Sequence, residues 1–106
     1  MHEVPNNTYI KQLANGNTAF EEKLIAIVKR EFPEEQAEFI KNYKYKNYIT
    51  AAENVHKLKN KIGMLGMEKG YQLAIDFEND LKVKKTILYP EFIVLLNQME
   101  DFIMNL

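Results

Sequence analysis

Cysteine and tryptophan are absent from this chain of 106 residues, and it holds only 4 glycines and 3 prolines. Without cysteine there is no disulfide framework, no thiol catalysis and no thiolate metal site. With so few turn formers, a β-sandwich, which needs a turn every ten residues or so, gives way to helices. The only histidines are His2 and His56, and two distant imidazoles without cysteine make no zinc site. No run approaches the ~18 apolar residues of a membrane span, and the N-terminus lacks a signal-peptide core. A cytoplasmic protein with no metal of its own and no membrane contact is therefore expected. A net charge of −1 argues against nucleic acid as the main partner.

What is present is ordinary in bulk, 46% hydrophobic and 27% charged, and enough for one domain spanning 1–106. The charge is unevenly spread. Between Lys41 and Lys61 stand six lysines against Glu53 alone, a basic stretch suited to an acidic protein partner or a phosphoryl group. The plain alternative is a solvated helix face. Lys44-Tyr45-Lys46-Asn47-Tyr48 interleaves lysine with aromatics as single-strand platforms do, but it is short and one tyrosine is needed inside.

Helix signals punctuate the whole chain. Asn6-Asn7-Thr8 caps a short first helix carrying Tyr9, Ile10 and Leu13, and Asn15-Gly16-Asn17 stops it. Thr18 and Glu21 match a capping box for a second helix, with Thr18 as N-cap. Its apolar positions run from Phe20 to Tyr43 past Pro33, which predicts a kink or short break there. Asn42 to Asn47 reads as a connection, with Asn47 capping a third helix from Tyr48 to about Met64. Leu65-Gly66 makes a turn, and a fourth helix runs from Met67 to about Lys82. Gly70 weakens that helix's first turn. Val83 to Leu88 is a loop, and Pro90 opens the last helix. Short connections between long amphipathic helices give an all-α, antiparallel up-down-up-down four-helix bundle with a short extra N-terminal helix.

The third helix carries the chemistry. At about 100° per residue, His56, Lys59, Asn60 and Gly63 share one stripe, while Val55, Leu58 and Ile62 face a core. An imidazole, an ammonium and a bare patch thus lie side by side. A lone histidine on a helix flank is usually structural. Here a mid-helix glycine, costing about 1 kcal/mol against alanine, asks for a reason such as close approach of another surface.

His56-Lys57-Leu58-Lys59, Gly63, Leu65-Gly66 and Phe77-Glu78 together resemble the histidine phosphotransfer (HPt) domain of bacterial phosphorelays. That family's pattern is H-x-L-K-G, then L-G at the helix end, then L-E in the next helix. Leu13 to Asn17 before Phe20 is similar to the family's first turn, and the helix order agrees along nearly the whole chain. The resemblance implies a four-helix bundle presenting His56 as phosphoacceptor, exchanging phosphate with the aspartate of a response-regulator receiver domain. Lys59 would offset phosphoryl charge, and Glu78 would hold Nδ1–H of His56. Lys57, Asn60, Lys61 and Gly63 would meet the partner.

It further implies a phosphocarrier with no kinase or phosphatase activity of its own, Mg²⁺ being supplied by the receiver. Its partners would be the receiver and a hybrid sensor kinase, and it would act as a monomer. The chain begins at Met1 with nothing but the bundle, so a free-standing intermediate is expected, a piece of a hybrid kinase being the alternative. Two positions depart from the pattern. Asn60 stands where the family has glycine, and Lys61 where it has a small residue, so Asn60 is either an obstruction or a hydrogen-bond donor to the phosphoryl group. The rival expectation, from another class, is a bundle that binds a receiver or other protein without phosphate chemistry.

Overall fold

The computed structural model describes residues 3–106, so His2 lies outside it. Five helices and no strand are found among the described residues: α1 Thr8–Ala14, α2 Thr18–Lys44, α3 Tyr48–Met64, α4 Glu68–Lys82 and α5 Tyr89–Met104. The expected bundle with its short leading helix is what the chain forms. α3 packs between α2 and α4, α5 closes the ring against α4 and α2, and α1 rests on α2.

The apolar stripes meet inside. Val28, Phe32 and Phe39 of α2 face Val55, Leu58 and Ile62 of α3, with Phe77 and Leu81 of α4 and Phe92, Leu96 and Met99 of α5 completing the core. Phe39, Phe77 and Phe92 form its aromatic centre, with Phe77 and Phe92 ring centroids 5.0 Å apart and Phe39 and Phe92 5.2 Å apart. Each such ring stabilises the fold by about 2–3 kcal/mol on burial.

Several local expectations need correction. Asn17, not Thr18, caps α2: its side chain accepts a hydrogen bond from the Phe20 amide at 3.0 Å, which moves the cap one residue back. Of the kink or short break expected at Pro33, the break does not occur: α2 continues through it as one helix of 27 residues. Pro33 itself is exposed while Phe32 is fully packed, so burial on either side holds the helix through the lost donor. The same helix extends to Lys44, which shortens the connection that was expected to begin at Asn42. Asn47 flanks α3 without a side-chain cap bond. Pro90 takes the second position of α5, after Tyr89, where its missing N–H would be an orphan anyway.

Two glycines are explained by close packing or backbone. A Cβ on Gly70 would sit 2.9 Å from a Leu95 methyl, so glycine lets α4 start flush against α5. Gly66 has φ +72° in the α3–α4 turn, a left-handed conformation that favours glycine. The N-terminal segment seals that turn. Asn6 donates its amide to the Leu65 carbonyl at 2.8 Å. Glu3 accepts the Lys69 and Gly70 amides at 2.9 Å each, satisfying orphan donors of α4.

Candidate functional site

α3 presents two charged edges. The edge toward α4 holds His56 and Lys59, and across from them α4 supplies Glu78. Glu78 is 9% exposed, yet it is ringed by cations. His56 Nδ1 lies 3.3 Å and Lys59 Nζ 3.0 Å from its Oε1, and Lys82 Nζ lies 3.5 Å from its Oε2. Lys82 follows Glu78 at i+4 on the same helix.

Burial acts to raise the Glu78 pKa, but the hydrogen bond and charge of Lys59, then those of His56, outweigh it and hold the carboxyl below its usual range. An ionised carboxylate can only accept. In the neutral ring, the Nδ1 that meets it carries the proton, which leaves the Nε2 lone pair free. The imidazole side chain is 65% exposed, so an incoming group can reach the ring. This is the arrangement of a carboxylate-oriented nucleophilic or basic histidine.

Of the residues expected at the site, the structure brings His56, Lys59 and Glu78 together. Lys59 is not poised in solvent: its side chain is 14% exposed, and its Nζ lies 5.9 Å from the centre of the Tyr71 ring. Lys57 and Asn60 are exposed on either side. Gly63 is half-buried, and a Cβ there would meet only the Tyr71 ring at 3.6 Å, an ordinary contact. The fold therefore does not require glycine at 63.

Lys61 is a correction. Expected to meet a partner, it is 5% exposed and turned to α2. Its Nζ lies 2.9 Å from Glu31 Oε1 and donates a hydrogen bond to Glu35 Oε2 at 3.2 Å. Glu35 Oε1, buried and without a hydrogen bond, is 3.1 Å from the same ammonium as an ionic contact only. The hydrogen bond and charge of Lys61 hold the Glu31 carboxyl below its usual range. Lys61 occupies the interface itself, so no partner can reach it.

Three features escaped the sequence reading. Asn54, 8% exposed, accepts a hydrogen bond from Asn42 Nδ2 at 2.7 Å and locks α3 to α2. Lys82 lines a shallow depression with Ile49, Ala52, Glu53, His56, Lys57 and Glu78, and its i+4 spacing from Glu78 was the available signal. A second depression, lined by Tyr9, Leu13, Leu24, Lys59, Asn60, Gly63, Met64 and Tyr71, lies farther along α3. Tyr9 and Leu13, each 46% exposed, give α1 apolar surface beside the stripe. No helix is long and apolar enough to cross a membrane among the described residues. Scans against protein-family models, curated proteins and solved structures return no match for this chain.

Proposed function

We propose that the protein is a phosphorelay intermediate that takes a phosphoryl group on His56 from the aspartate of a response-regulator receiver domain and can return it. The observation that carries this reading is the pairing of an exposed imidazole with a buried, ionised carboxylate, His56 Nδ1 to Glu78 Oε1 at 3.3 Å. In the forward step the Nε2 lone pair attacks phosphorus. The P–O bond to the aspartate breaks, and its electrons stay on the departing carboxylate. The ring, now carrying phosphate on Nε2 and a proton on Nδ1, is cationic and faces Glu78, which stabilises it. The return step runs the same path backward.

Such a carrier needs no kinase or phosphatase machinery of its own, because positioning and charge neutralisation carry phosphoryl transfer. The receiver brings Mg²⁺ and the acidic pocket, and a hybrid sensor kinase is the upstream donor. A monomer working in the cytoplasm suits this role. Lys57 and Lys82, exposed beside His56, complement an acidic pocket, and Tyr9, Leu13 and Tyr71 offer apolar docking surface farther along α3. Gly63, not demanded by the fold, keeps that surface low.

The reading is tested by incubating the protein with a phosphorylated receiver and assaying for an acid-labile, base-stable phosphate. Transfer that His56→Gln abolishes is the expected result. Transfer unaffected by His56→Gln would overturn the reading, and binding of receivers with no transfer from any of them would instead mark a docking bundle without phosphate chemistry.

A further inference from the structure

We propose that Lys82, on α4, is the cation that contacts the phosphoryl group on His56, and that Lys59 is a positioning residue that serves Glu78. This assignment rests on the phosphocarrier reading and reverses the expectation that Lys59 meets the phosphate.

The two lysines differ in what they would have to give up. Lys59 is mostly buried, lies 3.0 Å from Glu78 Oε1 and sits near the Tyr71 ring. Pulling it away would strip a buried carboxylate of its closest counter-ion, which costs far more than the loss of a surface pair. Lys82 is 55% exposed and meets the other oxygen, Oε2, at a looser 3.5 Å. With its own side chain half in solvent and the contact that loose, Lys82 gives up little by swinging away.

The depressions point the same way. His56 and Lys82 line one depression together, whereas Lys59 lines a different one with Tyr9, Gly63 and Tyr71. With Nδ1 turned to Glu78, a phosphoryl group on Nε2 of the 65% exposed imidazole enters the depression that Lys82 also lines. When it arrives, its oxygens compete with Glu78 Oε2 for the ammonium, while Lys59 stays on Oε1 and keeps the carboxylate ionised. Glu53, which lines the same depression, opposes the incoming charge.

Phosphoramidate, a small phosphoryl donor, separates these roles without a receiver: Nε2 attacks phosphorus, the P–N bond breaks and ammonia leaves. Uptake is followed by ³¹P NMR. Lys82→Gln should slow it roughly tenfold, the worth of one charge-assisted contact, and Lys82→Arg should restore most of the rate. Lys59→Gln should slow it less than about threefold, while shifting the Nδ1 ¹⁵N resonance of His56, with which it shares a carboxylate oxygen. Loss of uptake in Lys59→Gln with none in Lys82→Gln would overturn the assignment and leave the phosphocarrier standing. Wild-type protein that takes phosphate from neither phosphoramidate nor any phosphorylated receiver would overturn both.

Discussion

α3 carries two lysine–carboxylate clusters within six residues, and their difference separates structure from chemistry. Lys61 reaches across to Glu31 and Glu35 on α2 and is sealed in the interface. His56 and Lys59 reach across to Glu78 on α4, where the carboxylate is buried and the imidazole is open. In the first cluster the cation is hidden and one carboxylate, Glu31, is 41% exposed. In the second the anion is hidden and the exposed member is an imidazole. Burying a cation under flexible carboxylates fastens two helices. Burying a carboxylate beneath an exposed imidazole fixes a tautomer.

Exchanging the central members should break the symmetry most plainly. His56→Gln should abolish phosphate uptake with little change in melting temperature. Lys61→Ala should keep uptake but destabilise the fold by about 2 kcal/mol, below the full value for a buried pair because its carboxylates reach water. Thermal melts alongside uptake assays give the crossover directly. A loss of uptake in well-folded Lys61→Ala would put the chemistry on the wrong edge.

Glu78→Ala should act on both axes, because it frees the imidazole and orphans Lys59. Uptake about tenfold slower, with a clear drop in melting temperature, is expected, about the worth of one lost charge-assisted hydrogen bond. Mild acid should weaken both clusters. Glu78 and Glu31 have folded-state pKa values below their ordinary ones, so the stability they contribute is present above the ordinary carboxylate range and lost as pH falls through the lowered values. Melting temperatures measured from pH 6 to pH 3 should fall, and less steeply in Glu78→Ala than in the wild type.

Smaller effects sharpen the docking side. Asn60→Gly should speed transfer from a receiver severalfold if the exposed amide obstructs approach, at a helix cost of about 1 kcal/mol. Unchanged or slower transfer would make Asn60 a contact. Gly63→Ala should stabilise the fold by about 0.5–1 kcal/mol, since its Cβ finds room against Tyr71. It should slow docking only slightly.

Much of this is legible in the sequence. The 3.6-residue spacing and scarce turn formers gave the helices, and α3 begins and ends at Tyr48 and Met64 as its flanking asparagine and glycine suggested. The stripe of His56, Lys59, Asn60 and Gly63 was readable for the same reason, and the resemblance pointed to Glu78. What was hidden depends on register between helices, which no single stretch encodes. Lys61 sits next to core-facing Ile62, and only the alignment of α3 with Glu31 and Glu35 draws it inward. The Asn42–Asn54 bond is of the same kind. Of the kink or short break that Pro33 suggested, the break is absent because Phe32 and Phe39 bury the same helix on both sides.

The most direct test of the account is to find which imidazole nitrogen takes the phosphoryl group. Protein labelled with ¹⁵N-histidine and phosphorylated with phosphoramidate can be read by long-range ¹H–¹⁵N correlation. Phosphate on Nε2 of His56, with the proton retained on Nδ1 beside Glu78, is the predicted result. Phosphate on Nδ1, or no phosphohistidine at His56, would contradict it.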